Sequence, residues 1–218
     1  STQERWKALK AAGAVGMIGI ANPQHMDVPW SRISAARLMP RMTLADETLG
    51  DTAGLQFSAS WNPAKAHELF DSTPYPFAQI LEEANHDQPL PHFAMKLQIR
   101  ARTIFTKTEV ASKNVIGLRV GNDAVLRNEF VVLSAHLDHL GVAAKPVDGD
   151  HIYNGAMDNA AGVASLIQIA RALQREHASL KRSVLFVALT GEEKGELGSR
   201  YFASNPTLQG RNVANINM

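Results

Sequence analysis

A histidine and several acids fall in three short stretches of this chain, each just past an apolar or turn-like segment. They are SAHLDH at 134–139, NGAMDNAAG at 154–162 and LTGEEKGELGS at 189–199. Imidazole nitrogens and carboxylate oxygens are the donors that borderline and hard divalent cations take. The chain has no cysteine, so disulfides and thiolate sites are excluded, and any metal ion must be held by His, Asp or Glu. An open α/β sheet keeps its chemistry in the crevice outside the carboxyl ends of its strands. Three acid-bearing stretches converging there suggest a site for divalent metal ions.

Each candidate has an ordinary reading beside the chemical one. His136 and Asp138 lie two apart at a strand end, so both can point the same way. His136 offers a neutral imidazole nitrogen, and Asp138 is near enough to orient that ring. A lone H-x-D is more often a hydrogen-bonded core histidine followed by a turn former. Asp158 precedes an apolar-striped helix, where a lone Asp is usually an N-cap. A carboxylate has two oxygens, however, and can also bridge two ions. Glu192 and Glu193 sit at a helix-like start, where acids suit the macrodipole. Adjacent acids on a bend can also divide the work, one binding metal and the other serving as general base. His139 and His151, though close by, are read as having no direct metal role. His25, His67, His86, His92 and His177 are read as solvated. Trp6, Trp30 and Trp61 are read as packing residues.

The elements that must position these groups follow from the patterning. Glu4–Ala12 has helical composition with Gly13 as its cap, and 14–20 reads as a buried strand broken by Asn22-Pro23. Residues 22–60 read as loops and short strands, 55–59 among them. Asn62-Pro63 opens a helix through Phe70, and 77–84 is another. Alternation at Leu97, Ile99, Ala101 and Ile104-Phe105 predicts a long strand, and 114–120 a further one. Phe130–Ala135 is a continuous apolar run, as in a strand covered on both faces. Asp158–Leu173 is a helix with Val163, Leu166, Ile167, Ala170 and Leu173 as its apolar stripe. A strand at 183–189, a helix at 198–203 and a strand at 213–218 complete the pattern. From 96 onward this predicts an α/β fold, a mixed β-sheet flanked by helices. Its first three strands can be antiparallel neighbours.

The 218 residues are 45% hydrophobic and 20% charged, with net charge +1. That is globular composition without the basic excess of a nucleic-acid or membrane-surface binder. No stretch is long and apolar enough for a transmembrane helix. The first residues have neither an initiator Met nor a signal peptide's regions, so a leader is expected to have been removed or left out.

Taken together, SAHLDH, NGAMDNAAG and GEEKGELGS resemble the three metal-site motifs of the M28 zinc peptidases, the family of bacterial secreted aminopeptidases. The likeness runs from about Asn114 to Met218. It implies a three-layer zinc aminopeptidase-like sandwich holding two Zn2+, acting on a peptide substrate outside the cytoplasm, in the periplasm or extracellular space. It further implies His136 as ligand of one zinc, Asp158 as the bridging carboxylate and Glu193 as ligand of the other. Glu192 is then the general base, and Asp138 supports His136. The stretch KALKAAGAVGMIGIANP at 7–23 is similar to part of a β-rich protease-associated domain. The expected division is therefore 1–93, partial protease-associated domain with connecting helices, and 94–218, amino-terminal half of the peptidase domain. In the family a strand like 215–218 leads into an Asp ligand, and a His ligand follows later. This chain is accordingly expected to hold three of five ligands plus the base, with weak or no zinc occupancy and no peptidase activity by itself. Two other readings are a non-catalytic binding relative and a one-zinc acyltransferase of the glutaminyl cyclase kind. The base and the full ligand set argue against the first, and His136 favours two metals over one.

Overall fold

A computed structural model describes residues 2–147, 149–176 and 179–218. The expectation for His177 lies outside the described residues. The chain divides into two compact units, one of residues 1–40 with 51–108 and one of 41–50 with 109–218.

In the first unit, helix α1 (Thr2–Ala11) ends as its sequence demands. Gly13 takes φ +88°. Its N–H donates to Lys10 O at 3.0 Å, and Ala14 N–H donates to Leu9 O at 3.0 Å, the paired bonds of a Schellman turn. The chain re-enters as strand β1 (Gly16–Ile20), and helix α2 (Trp30–Ala35) follows. Strand β2 (Phe57–Trp61) then pairs parallel with β1. Trp6 is buried and its indole N–H donates to Ala53 O at 3.0 Å, a packing role as expected. Asn62 caps a 3₁₀ turn over 63–65 by accepting from Ala64 N–H, and helix α3 (His67–Phe70) follows. Helix α4 (Phe77–Asn85) closes the series. Phe70 and Phe77 stack at 5.3 Å, and Tyr75 meets Phe93 at 5.0 Å. The strand expected from Lys96 is not formed. Residues 89–114 have no regular structure, and Ile104 and Phe105 are 86% and 79% exposed. Alternation makes a strand only where a partner ladder and a face to cover exist.

The second unit carries strand β3 (Val115–Arg119) and strand β4 (Glu129–His136). A hairpin of β5 (Val142–Val147) and β6 (Asp150–Ile152) follows. Next come helix α5 (Ala161–Arg175), strand β7 (Ser183–Leu189), helix α6 (Leu197–Ser204) and strand β8 (Arg211–Asn217). The sheet order is β3-β7-β4-β8, with β4, β7 and β8 parallel and β3 antiparallel to β7. The mixed sheet flanked by helices is thus present, but β3 and β4 are not antiparallel neighbours. The parallel crossover from β4 through α5 inserts β7 between them.

The strand period of two sorts the core into two layers. Leu133, Ala135 and Val184 pack on Leu166 of α5, with Val163 and Ile169 beside them. Phe130, Val132, Leu185, Val187 and Leu189 face the other way, joined by Phe202 of α6. Full burial of one such side chain contributes about 1.5–3 kcal/mol. Ile167, expected in the stripe of α5, is instead 48% exposed, and Ile169 takes the inward place. Val163, Leu166 and Ile169, spaced three apart, fall on the face that meets the sheet. Strand β8 slips one residue against β4 between Phe130 and Val131. This bulge leaves Asn212, Asn215 and Asn217 on the α6 side of the sheet.

At the strand origins Glu129 accepts from Arg182 Nε at 2.7 Å and also from Arg211. One carboxylate at the start of β4 thereby ties the starts of β7 and β8. The two guanidinium groups, Arg211 first, hold the Glu129 carboxyl below its ordinary value.

Candidate metal centre

All five expected site residues lie at the carboxyl ends of β4 and β7 or in the turn before α5. His136 is the last residue of β4, and its side chain is only 10% exposed. Its Nδ1 stands 3.0 Å from Asp138 O. A carbonyl only accepts, so Nδ1 carries a ring proton and Nε2 is the nitrogen left to the site. Nε2 stands 2.9 Å from Asp158 Oδ1. Glu192 Oε2 lies 3.9 Å from the same nitrogen. Either a proton on Nε2 or a bound cation joins such a pair, and the donor chemistry of His136, Asp158 and Glu192 fits a divalent metal ion.

Asp138 is placed differently from its expected part. The ring of His136 is oriented by Asp138's main-chain carbonyl, while the carboxylate stands 4.0 Å from Nδ1. The carboxylate accepts instead from Glu192 N–H at 3.1 Å and Glu193 N–H at 3.3 Å. It therefore shapes the turn that carries both glutamates. That turn is a short 3₁₀ segment over Glu192–Lys194 entered through Gly191 at φ +66°, a left-handed conformation that favours glycine.

Asp158 is not the helix cap. Its backbone is extended (φ −128°, ψ 83°), in a wide turn over Ala156–Ala160. Asn159 supplies the cap, its Oδ1 accepting from Gly162 N–H at 2.9 Å. Asn159 Nδ2 also donates to Met218 O at 2.7 Å, tying this turn to the end of β8. Relieved of capping, Asp158 is 66% exposed at the mouth of the site and reaches towards both of its halves. One half is His136. The other is His139 with Glu193, and one ligand atom each of His139, Asp158 and Glu193 lie within 4.8 Å of one another.

His139 is the residue that sequence reasoning missed. Its Nδ1 lies 2.7 Å from Glu193 Oε1, with side chains 22% and 16% exposed. Its only signal was membership in the same past-strand stretch as His136. The path of the loop after β4, which the sequence leaves open, brings it round. His151 is exposed, its Nδ1 3.4 Å from Ala143 O. His25, His67, His86 and His92 are exposed as expected.

Beside the site an open cleft of about 520 Å³ runs along the α6 face of the sheet. Its lining includes Ser134, His136, Glu192, Phe202 and Asn217. Of the site groups, His136 and Glu192 line this cleft.

The sequence model of Peptidase family M28 matches residues 114–218. Over that stretch, a little under half of its length, the chain is similar to peptidase family M28. The match begins just ahead of β3 and takes in every expected site residue. The match points to metal-dependent peptide hydrolysis, in a family that is generally zinc-dependent. The substrate class is peptide. Among the described residues no helix is long and apolar enough to cross a membrane.

Proposed function

We propose that the M28 segment serves a two-zinc aminopeptidase, with His136, Asp158 and Glu193 as ligands and Glu192 as general base. One observation carries this reading: His136 Nε2 stands 2.9 Å from Asp158 Oδ1, with Glu192 Oε2 beside it at 3.9 Å. Two donor sets on either side of Asp158, one with His136 and one with Glu193, support two ions rather than one.

Held by His136, Asp158 and Glu193, zinc would supply a Lewis acid for the scissile carbonyl and for activation of water. The chain's own residues do the rest. Glu192, 42% exposed towards the cleft, takes a proton from the nucleophile and returns it to the leaving amine. Asp138 keeps Glu192 in place through its backbone. Asp158, anchored by its neighbour Asn159, spans the two halves.

Residues 1–93 fit a protease-associated module with its connecting helices. The helix, Schellman turn and strand of residues 2–20 support this. A location outside the cytoplasm is supported by the family resemblance.

Hydrolysis of aminoacyl p-nitroanilides by the zinc-loaded full-length protein, compared with amino-blocked peptides, tests the reading. Preference for the free amine and loss of turnover in Glu192→Gln are expected. Unchanged turnover in Glu192→Gln removes the base assignment. Zinc binding without hydrolysis of any peptide marks a binding relative instead.

A further inference from the structure

We propose that His139 is a positioning residue for Glu193, holding that carboxylate in the orientation its metal-binding oxygen needs. The inference rests on the reading of Glu193 as a ligand.

The two histidines of SAHLDH differ in what their nitrogens can do. In His136 Nδ1 is committed to the carbonyl of Asp138, and Nε2 is the nitrogen turned to Asp158 and the site. In His139 the contact to Glu193 is made by Nδ1 itself, at 2.7 Å. A carboxylate only accepts, so Nδ1–H donates, and the bond is complete with no cation in it. Among the described residues His139 is the side chain that hydrogen-bonds the Glu193 carboxylate. Metal-ligating carboxylates are themselves held by such donors, and losing one costs about 10–100-fold in metal affinity.

The ring is fixed from behind. Gly155, at φ +64°, has no side chain, and a Cβ there would stand 3.0 Å from His139 Cγ. Tyr153 meets the ring edge-on at 6.3 Å between centroids. Glu193 is held at its own backbone by Asp138. Main chain and carboxylate are thus pinned separately, by two residues one apart in sequence. The bond to Oε1 leaves Oε2 for a metal ion, and the cluster of His139, Asp158 and Glu193 becomes one ligand pair with its support.

The test is zinc affinity, by competition with a chromophoric chelator, in the full-length protein and in its variants His139→Phe, His139→Asn, Glu193→Ala and His139→Phe/Glu193→Ala. Phe keeps the ring against Tyr153 and Gly155 but cannot donate. Asn places an N–H near the position of Nδ1 but is a poor zinc ligand. Expected are a loss of about 10–100-fold for His139→Phe, recovery of most of it by Asn, and no further loss from Phe once Glu193 is Ala. Wild-type affinity in His139→Phe overturns the proposal while leaving Glu193 as a ligand. Failure of Asn to recover affinity overturns it in favour of direct ligation by His139. Unchanged affinity in Glu193→Ala overturns both this proposal and the ligand assignment beneath it. Thermal unfolding of each variant without zinc separates loss of the hydrogen bond from loss of the fold.

Discussion

The carboxylate of Asp138 accepts the backbone N–H of Glu192 at 3.1 Å. The same residue's carbonyl holds the ring of His136. A single residue just past β4 therefore sets both the imidazole and the base. Asp138→Ala is expected to lower kcat by about 100-fold, the scale at which a 1 Å misplacement of catalytic groups is felt. KM is expected to change far less. A fall in KM-linked binding with kcat intact would refute the positioning role.

Glu192→Gln keeps the shape of the side chain and its backbone bond to Asp138, but removes the proton acceptor. General-base loss costs about 100- to 10,000-fold in turnover. Zinc content is expected to be retained, which elemental analysis of the purified variant checks.

Chelation is expected to abolish peptide hydrolysis, and added zinc to restore it. His136→Ala and Asp158→Asn should each lower the zinc content of the enzyme, because both remove a donor from the 2.9 Å contact. Full zinc content in both variants would place the metal elsewhere.

Gly198 lets α6 start hard against β7. Its N–H donates to Thr190 O at 2.9 Å, while Asn114 bonds both Gly198 O (2.8 Å) and Thr190 N–H (3.1 Å). A Cβ would clash with the Thr190 carbonyl and the Asn114 side chain. Gly198→Ala is expected to cost about 1–3 kcal/mol, the range for overpacking, seen as a lower midpoint in urea.

Glu129 makes part of the stability pH-dependent. Its carboxyl is held below its ordinary value of 4.5, chiefly by the hydrogen bond from Arg211 and then by that from Arg182. A lowered folded value means the unfolded state binds the proton first as pH falls. The contribution is complete above the ordinary value and is lost as pH drops below it. Glu129→Gln should flatten the stability–pH curve in that acidic window and lower the plateau at neutral pH. Urea midpoints from neutral pH down to pH 3 check this.

The sequence by itself determined the local elements and the cast of the site. Continuous apolar runs made β4 and β7, Gly13 ended α1, and the three acid-bearing motifs named His136, Asp138, Asp158, Glu192 and Glu193. These depend on backbone propensity, on the periods of helix and strand, and on side-chain chemistry, all carried by neighbouring residues. What only the tertiary structure decided were relationships across long separations. It put β7 between β3 and β4, and left 96–105 without a partner strand. It gave the helix cap to Asn159, and so freed Asp158 to face His136. It also turned the loop after β4 so that His139 meets Glu193, 54 residues away. Sequence spacing carries no record of where a loop returns. Packing of α5 and α6 on opposite faces of one sheet sets that, and with it which lone pair meets which proton.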